Sequence, residues 1–264
     1  MALTGMQALI MDMDGVLWRG DEALPGLAAF FAWLRRAGRP FVLATNNSSR
    51  PPAQYVQKLA GLGVPDILPQ QIITSATATA IYLRARYPAG TRVHVVGMDG
   101  VRQALLEADF ALVEEDAAVV VAGVDFELTY DKAKRAALMI RAGADFVGTN
   151  PDATFPTPEG LIPGAGSILA LLETAGGKAP LVIGKPEPAM FEVALRRLGT
   201  LPEQTLMVGD RLDTDIFGAY RAGLKTALVL TGVSRREDVA HSPVLPDAIF
   251  EDLPALQRAC ETLV

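Results

Sequence analysis

The chain has 264 residues, half of them hydrophobic, a net charge of −6 and a single cysteine. This is enough apolar material for one large domain or two modest ones. The acidic balance, with no run of Lys or Arg, argues against nucleic acid or an acidic membrane as partner, and a lone Cys260 excludes an internal disulfide and a Cys-rich zinc site. No stretch approaches the ~18 consecutive apolar residues of a membrane span, and the N-terminus shows no charged leader. The expected setting is therefore reducing and cytoplasmic.

In chain order, residues 7–18 read Q-A-L-I-M-D-M-D-G-V-L-W, an apolar run interrupted by Asp12 and Asp14 and stopped by Gly15. This predicts a buried strand with two carboxylates at its carboxyl end. Residues at i and i+2 of a strand project to the same side, so the two Asp share one face. Leu27, Phe30, Phe31 and Leu34 have helical spacing within 24–38, and a second buried strand over 40–45 ends in Asn46, Asn47, Ser48 and Ser49. Helices are predicted over 53–62 and 76–87. Strands over 92–97, 117–124 and 145–149 then alternate with helices over 101–108 and 130–142. Residues 150–166 contain four prolines and three glycines and are predicted as a long loop.

After a helix over 167–174, a strand over 181–184 ends in Lys185-Pro186. A helix over 189–198 precedes a strand over 205–209 that ends in Asp210. Helix 215–222, strands 226–230 and 247–250, and helix 253–263 finish the chain. Such alternation predicts an α/β protein with a doubly wound, mostly parallel sheet. Residues 78–178 alternate on their own without ending in a charged pair. They are expected to form an inserted α/β cap, between core segments 1–77 and 179–264.

Four strand ends carry polar groups: Asp12/Asp14, Thr45-Asn46, Lys185 and Asp210. In one parallel sheet they would meet at one edge, where open α/β sheets bind ligands. Clustered carboxylates repel unless a cation or a proton intervenes. Hard oxygen donors suit Mg²⁺, whereas zinc would call for His or Cys. Such an ion, a lysine, and the Thr45 and Asn46 donors together describe a receptor for a phosphoryl group. Of two Asp so spaced, one can attack phosphorus while the other moves a proton to the leaving oxygen and later takes one from water.

The four segments, in this order, resemble the motifs of the haloacid dehalogenase superfamily: Asp12-Met13-Asp14-Gly15-Val16-Leu17, Thr45-Asn46-Asn47, Gly184-Lys185-Pro186 and Gly209-Asp210-Arg211-Leu212-Asp213-Thr214-Asp215. The length of the insert and its Thr149-Asn150-Pro151-Asp152 stretch resemble the NagD-like, or 4-nitrophenylphosphatase-like, branch. The resemblance implies a Mg²⁺-dependent phosphatase with Asp12 as nucleophile and metal ligand. Asp14 would be the general acid/base, its backbone carbonyl on the metal. Thr45 and Asn46 would bind the phosphoryl group, and Lys185 would pair with it and with Asp12. Asp210 would ligate Mg²⁺, and Asp215 would hold Asp210 or Lys185 in place. The family's dehalogenases lack the second Asp, so Asp14 speaks against dehalogenation.

The expected substrate is a small phosphorylated metabolite: a sugar phosphate, a nucleoside monophosphate or an aryl phosphate. The alternatives are a phosphotransferase, with an acceptor other than water, and a phospholigand-binding module without turnover. The chain would act as a monomer or homodimer. His94 and His241 read as structural, Asp213, Asn47 and Ser48 as cap or turn residues, and Trp18 as either core or a wall of the substrate entrance.

Overall fold

Ala8–Met11 is apolar and buried at every position, as a central strand of a parallel sheet requires. In the computed structural model, which describes residues 3–157 and 159–262, it lies inside a six-stranded sheet. The strand order is Ala248–Phe250, Lys225–Val229, Thr205–Gly209, Ala8–Met11, Phe41–Thr45 and Ile72–Thr74. Ala8–Met11 pairs in parallel with Thr205–Gly209 on one side and Phe41–Thr45 on the other. It therefore sits where the strand order reverses, the position at which a doubly wound sheet opens a crevice at its carboxyl edge. Leu27, Phe30, Phe31 and Leu34 of helix Leu27–Arg36 are all buried in the accompanying core, with Leu9, Met11, Leu43 and Leu206.

This sheet belongs to a compact unit made of the chain up to Thr45, Ala53–Ile73 and the chain from Pro186 onward. The second unit consists of Asn46–Pro52 and Thr74–Lys185. Its five-stranded sheet has the order Leu181–Val182, Asp145–Gly148, Val119–Ala122, Arg92–Val96, Ala111–Leu112, again parallel in every pair. Val120, Ala122, Met139, Ile140, Phe146, Ile168 and Leu172 form its core. Both units are α/β with mostly parallel sheets, as the alternation predicts.

Three local expectations need correction. Residues 150–166 are not plain loop: Thr154–Thr157 pairs antiparallel with Gly160–Pro163 as a two-stranded ribbon. Each strand of a ribbon has a free edge, so prolines that cannot donate are tolerated there and mask the strand signal. Leu181–Val182, expected in core segment 179–264, instead pairs with Asp145–Gly148 of the second unit. The Ile183 and Gly184 N–H groups continue the contact, donating to the carbonyls of Gly148 (3.1 Å) and Thr149 (2.8 Å). Lys185 thus ends a strand of the second sheet, and the four polar strand ends do not share one sheet. Finally, helix 215–222 is two pieces, a wide π-type turn over Leu212–Ile216 followed by helix Phe217–Arg221.

The last helix covers Leu253–Glu261, and Leu263, included in the predicted span, lies outside the described residues. Cys260 on that helix is buried, and burial pushes its thiol pKa up to about 11, an inert structural thiol. No helix among the described residues is long and apolar enough to cross a membrane.

Candidate active site

In the first unit the backbone ladder continues one residue past Met11, with the Asp12 N–H donating to the Val208 carbonyl at 2.9 Å. Asp12 is thereby fixed at the carboxyl edge beside the strand that leads into Asp210. One carboxylate oxygen from each of Asp12, Asp210 and Asp215 lies within 4.8 Å of the others. All three residues are buried, with 8, 1 and 1% exposure. Buried carboxylates this close repel one another, and a bound cation would relieve that repulsion.

The chain around them is shaped to hold this arrangement. The π-type turn returns Asp215 to Asp210, where its Oδ2 accepts the backbone N–H groups of Asp210 (3.2 Å) and Arg211 (3.1 Å). Gly209 leaves the room: a Cβ there would sit 2.2 Å from the Asp215 Cβ. The Asp210 Oδ2 accepts the Val233 N–H at 2.7 Å. Gly15 and Gly232 flank that oxygen so closely that a Cβ on either would lie 2.5 or 1.9 Å from it. Gly15 also has φ +82°, the left-handed region. The donor set is all hard oxygen, as suits a hard divalent cation.

Asp14 stands apart from this trio. It is exposed, and its Oδ1 accepts the indole N–H of Trp18 at 2.7 Å. Trp18 is 1% exposed, so it is a core residue that also holds a carboxylate, not a wall of an open entrance. Thr45 is buried at the carboxyl end of the strand next to Ala8–Met11. Asp213 pairs with its neighbour Arg211 through two contacts of 3.1 and 2.8 Å. Burial alone would raise the Asp213 carboxyl, but Arg211 together with the backbone N–H groups of Asp213 and Thr214 outweighs it and leaves the carboxyl below the ordinary range.

In the second unit, Asn46 and Lys185 come together. The Asn46 side-chain amide donates to the Lys185 backbone carbonyl at 2.8 Å and to the Asp152 carboxylate at 3.1 and 3.3 Å. The Asn46 carbonyl in turn accepts from the Asn150 amide (2.7 Å) and the Ser75 hydroxyl. Thr149-Asn150-Pro151-Asp152 is therefore a clamp around Asn46. Lys185 is 2% exposed. Asn47 closes a turn by accepting the Ser49 N–H and hydroxyl, and buried Ser48 accepts from the Thr149 hydroxyl at 3.2 Å. His94 is buried with Nδ1 2.9 Å from the Val113 carbonyl, as a structural histidine should be.

Gly232 is not singled out by the sequence, and Trp18 and Asp152 are visible there without the contacts they make. The Asn-Pro-Asp stretch was visible, but its contact with Asn46 spans 106 residues.

A family model described as haloacid dehalogenase-like hydrolase matches residues 9–111, and a second, described as HAD-hydrolase-like, matches 182–256. The chain is 39% identical over 248 residues to an acid sugar phosphatase of Staphylococcus aureus, covering 94% of this chain and 95% of that one. It is likewise 39% identical over 244 residues to the 5′-nucleotidase YutF of Bacillus subtilis, covering 92% and 94%. Among solved structures, a 4-nitrophenylphosphatase from Thermotoga maritima superposes with a TM-score of 0.93 at 35% identity, covering 98% of each chain.

Proposed function

The chain belongs to the haloacid dehalogenase-like hydrolases, and from that premise we propose that it hydrolyses small phosphomonoesters through an aspartyl-phosphate formed on Asp12. The observation that carries this reading is the buried trio of Asp12 and Asp210, each just past one of two adjacent parallel strands, with Asp215 folded back beside them. The sugar phosphatase, nucleotidase and nitrophenylphosphatase among its relatives support a phosphatase acting on a small phosphorylated compound.

Mg²⁺ would be held by Asp12, Asp210 and the Asp14 backbone carbonyl, and when bound it neutralises the charge of the phosphoryl oxygens. The chain's own groups do the rest. Asp12 attacks phosphorus with a carboxylate oxygen as the bond to the leaving oxygen breaks. Asp14 gives that oxygen its proton, then takes one from the water that attacks the phosphorylated Asp12, and orthophosphate departs. The Thr45 hydroxyl and the Asn46 backbone N–H hydrogen-bond the phosphoryl oxygens, and the Lys185 ammonium adds positive charge. Asp215 serves by fixing the Asp210–Arg211 backbone, as its two accepted N–H bonds support.

The test is phosphate release from a panel of sugar phosphates, nucleoside monophosphates and 4-nitrophenyl phosphate, with and without Mg²⁺. Acid quenching with ³²P-labelled substrate should leave label on the wild-type chain and none on Asp12→Asn. Activity retained in Asp12→Asn would remove Asp12 as nucleophile, and binding without phosphate release would make the protein a binding module. Transfer to added alcohols in place of water would make it a phosphotransferase.

A further inference from the structure

A buried tryptophan needs a partner for its indole N–H. Trp18 finds one only four residues back, the Asp14 Oδ1, at 2.7 Å, the short end of the N–H···O range. The loop between them is fixed on both sides. The Gly15 N–H donates to the Trp18 carbonyl at 2.8 Å, and the Leu17 N–H to the Met13 carbonyl at 2.8 Å. Trp18 then pairs with Ala23 in a short antiparallel ribbon.

Lys58, from helix Pro52–Gly61, closes this assembly from outside. Its ammonium lies 4.6 Å from the centroid of the Trp18 ring. It also donates to the Gly20 carbonyl at 2.6 Å and sits 3.5 Å from the Asp21 carboxylate. A cation over an indole draws on its π-electrons and strengthens the N–H as a donor.

We propose that Trp18 is the positioning residue for the acid/base Asp14, anchoring Oδ1 through its indole N–H so that Oδ2 carries the proton, with Lys58 clamping the ring from outside. An indole N–H only donates, so it cannot exchange roles with the carboxyl as a hydroxyl could. The anchor keeps the same sense when Asp14 is a neutral acid facing the leaving oxygen and when it is a carboxylate facing water. One rotamer thus serves both halves of the reaction. This inference rests on the acid/base role proposed for Asp14.

The experiment compares kcat/KM, which covers the steps up to departure of the leaving group, for two substrates. The first is 4-nitrophenyl phosphate, whose phenolate leaves without a proton. The second is the best alkyl phosphate of the panel, whose alkoxide needs one. Asp14→Asn should lose about 10²- to 10⁴-fold on the alkyl phosphate and far less on the aryl one. Trp18→Phe should show the same selectivity at smaller size, about 10- to 100-fold on the alkyl phosphate and below about threefold on the aryl one. Equal losses on both substrates in Asp14→Asn would sink the acid/base role itself. A selective Asp14→Asn beside an unselective or silent Trp18→Phe would overturn only the positioning role. Lys58→Met, on a partly exposed side chain, should give a selective loss of about threefold. It decides the matter if Trp18→Phe does not fold, and no selectivity there would overturn the proposal.

Discussion

The two units use the same architecture, a parallel sheet with helices, and differ in what stands at the carboxyl ends of their strands. In the six-stranded sheet those ends present Asp12, Thr45 and Asp210, and Asp215 folds back to complete a buried carboxylate trio. In the five-stranded sheet, the residues that follow Val119–Ala122 and Asp145–Gly148 are neutral where they meet Ser48 and Asn46. Gly123 follows Val119–Ala122, and a Cβ there would lie 2.7 Å from the hydroxyls of both Ser48 and Thr149. The Gly100 N–H donates to the Ser49 carbonyl at 3.1 Å, and Asn150 to the Asn46 carbonyl. The second sheet holds Asn46, Ser48 and Ser49 near its strand ends, where the first gathers buried carboxylates. The strand layout does not determine chemistry; the few residues just past the strands do.

The contrast can be broken or sharpened by experiment, beginning with the largest effect. Asp12→Asn should lower turnover roughly 10⁵-fold or more with unchanged circular dichroism, as loss of a nucleophile does. Gly232→Ala must push the Asp210 carboxylate aside, because its Cβ would meet Oδ2 at 1.9 Å. It should cost about 10²-fold in kcat/KM and weaken Mg²⁺ binding, read by titration calorimetry. Wild-type activity in this variant would mean that Asp210 need not stay where it stands.

Chelation should lower the melting temperature, and Mg²⁺ at 100 times its Kd should restore about 2.7 kcal/mol. Asp210→Asn should abolish that response. A full response in that variant would move the ion away from the trio. Gly123→Ala, the counterpart in the second sheet, should cost about 1–3 kcal/mol of stability while leaving Mg²⁺ affinity unchanged. An altered Mg²⁺ affinity there would blur the distinction between the two sheets.

The smallest effect concerns Asp145 at the start of a second-unit strand. The Tyr87 hydroxyl, and after it Lys178 at 2.9 Å, hold its carboxyl below the ordinary range. A depressed carboxyl stabilises the fold at pH values above its unfolded pKa, and the effect fades as pH falls through the folded one. Asp145→Asn should therefore lower the melting temperature at pH 7 by about 1–3 °C, as half-exposed pairs do, and the difference should shrink toward acid. A difference that grows toward acid would reverse the sign of this interaction.

Much of this was legible in the chain because it is local. Apolar runs that end in Asp12, Thr45 and Asp210 mark buried strands and the polar groups just beyond them, since backbone geometry places successive residues in fixed directions. The Asp pair at i and i+2 could be seen as an unusual charge at a buried strand end, and the motif order indicated the chemistry. The alternation of strands and helices carried the fold class for the same reason.

What lay beyond the sequence is what distant residues do to one another. Two apolar residues at Leu181–Val182 announce a strand but not its sheet, because periodicity reports which faces are apolar and never which neighbour completes the ladder. Gly232 approaches Asp210 across a separation of 22 positions, and Asp152 reaches Asn46 across 106. Trp18 is the instructive middle case. Its distance from Asp14 is four residues, yet the burial of its ring and the placement of Lys58 above it decide that the indole holds the carboxylate. The sequence by itself determined which residues could do the chemistry. Tertiary packing decided which of them are held to do it, because a side chain's direction is settled by the groups that exclude water around it and not by its place in the chain.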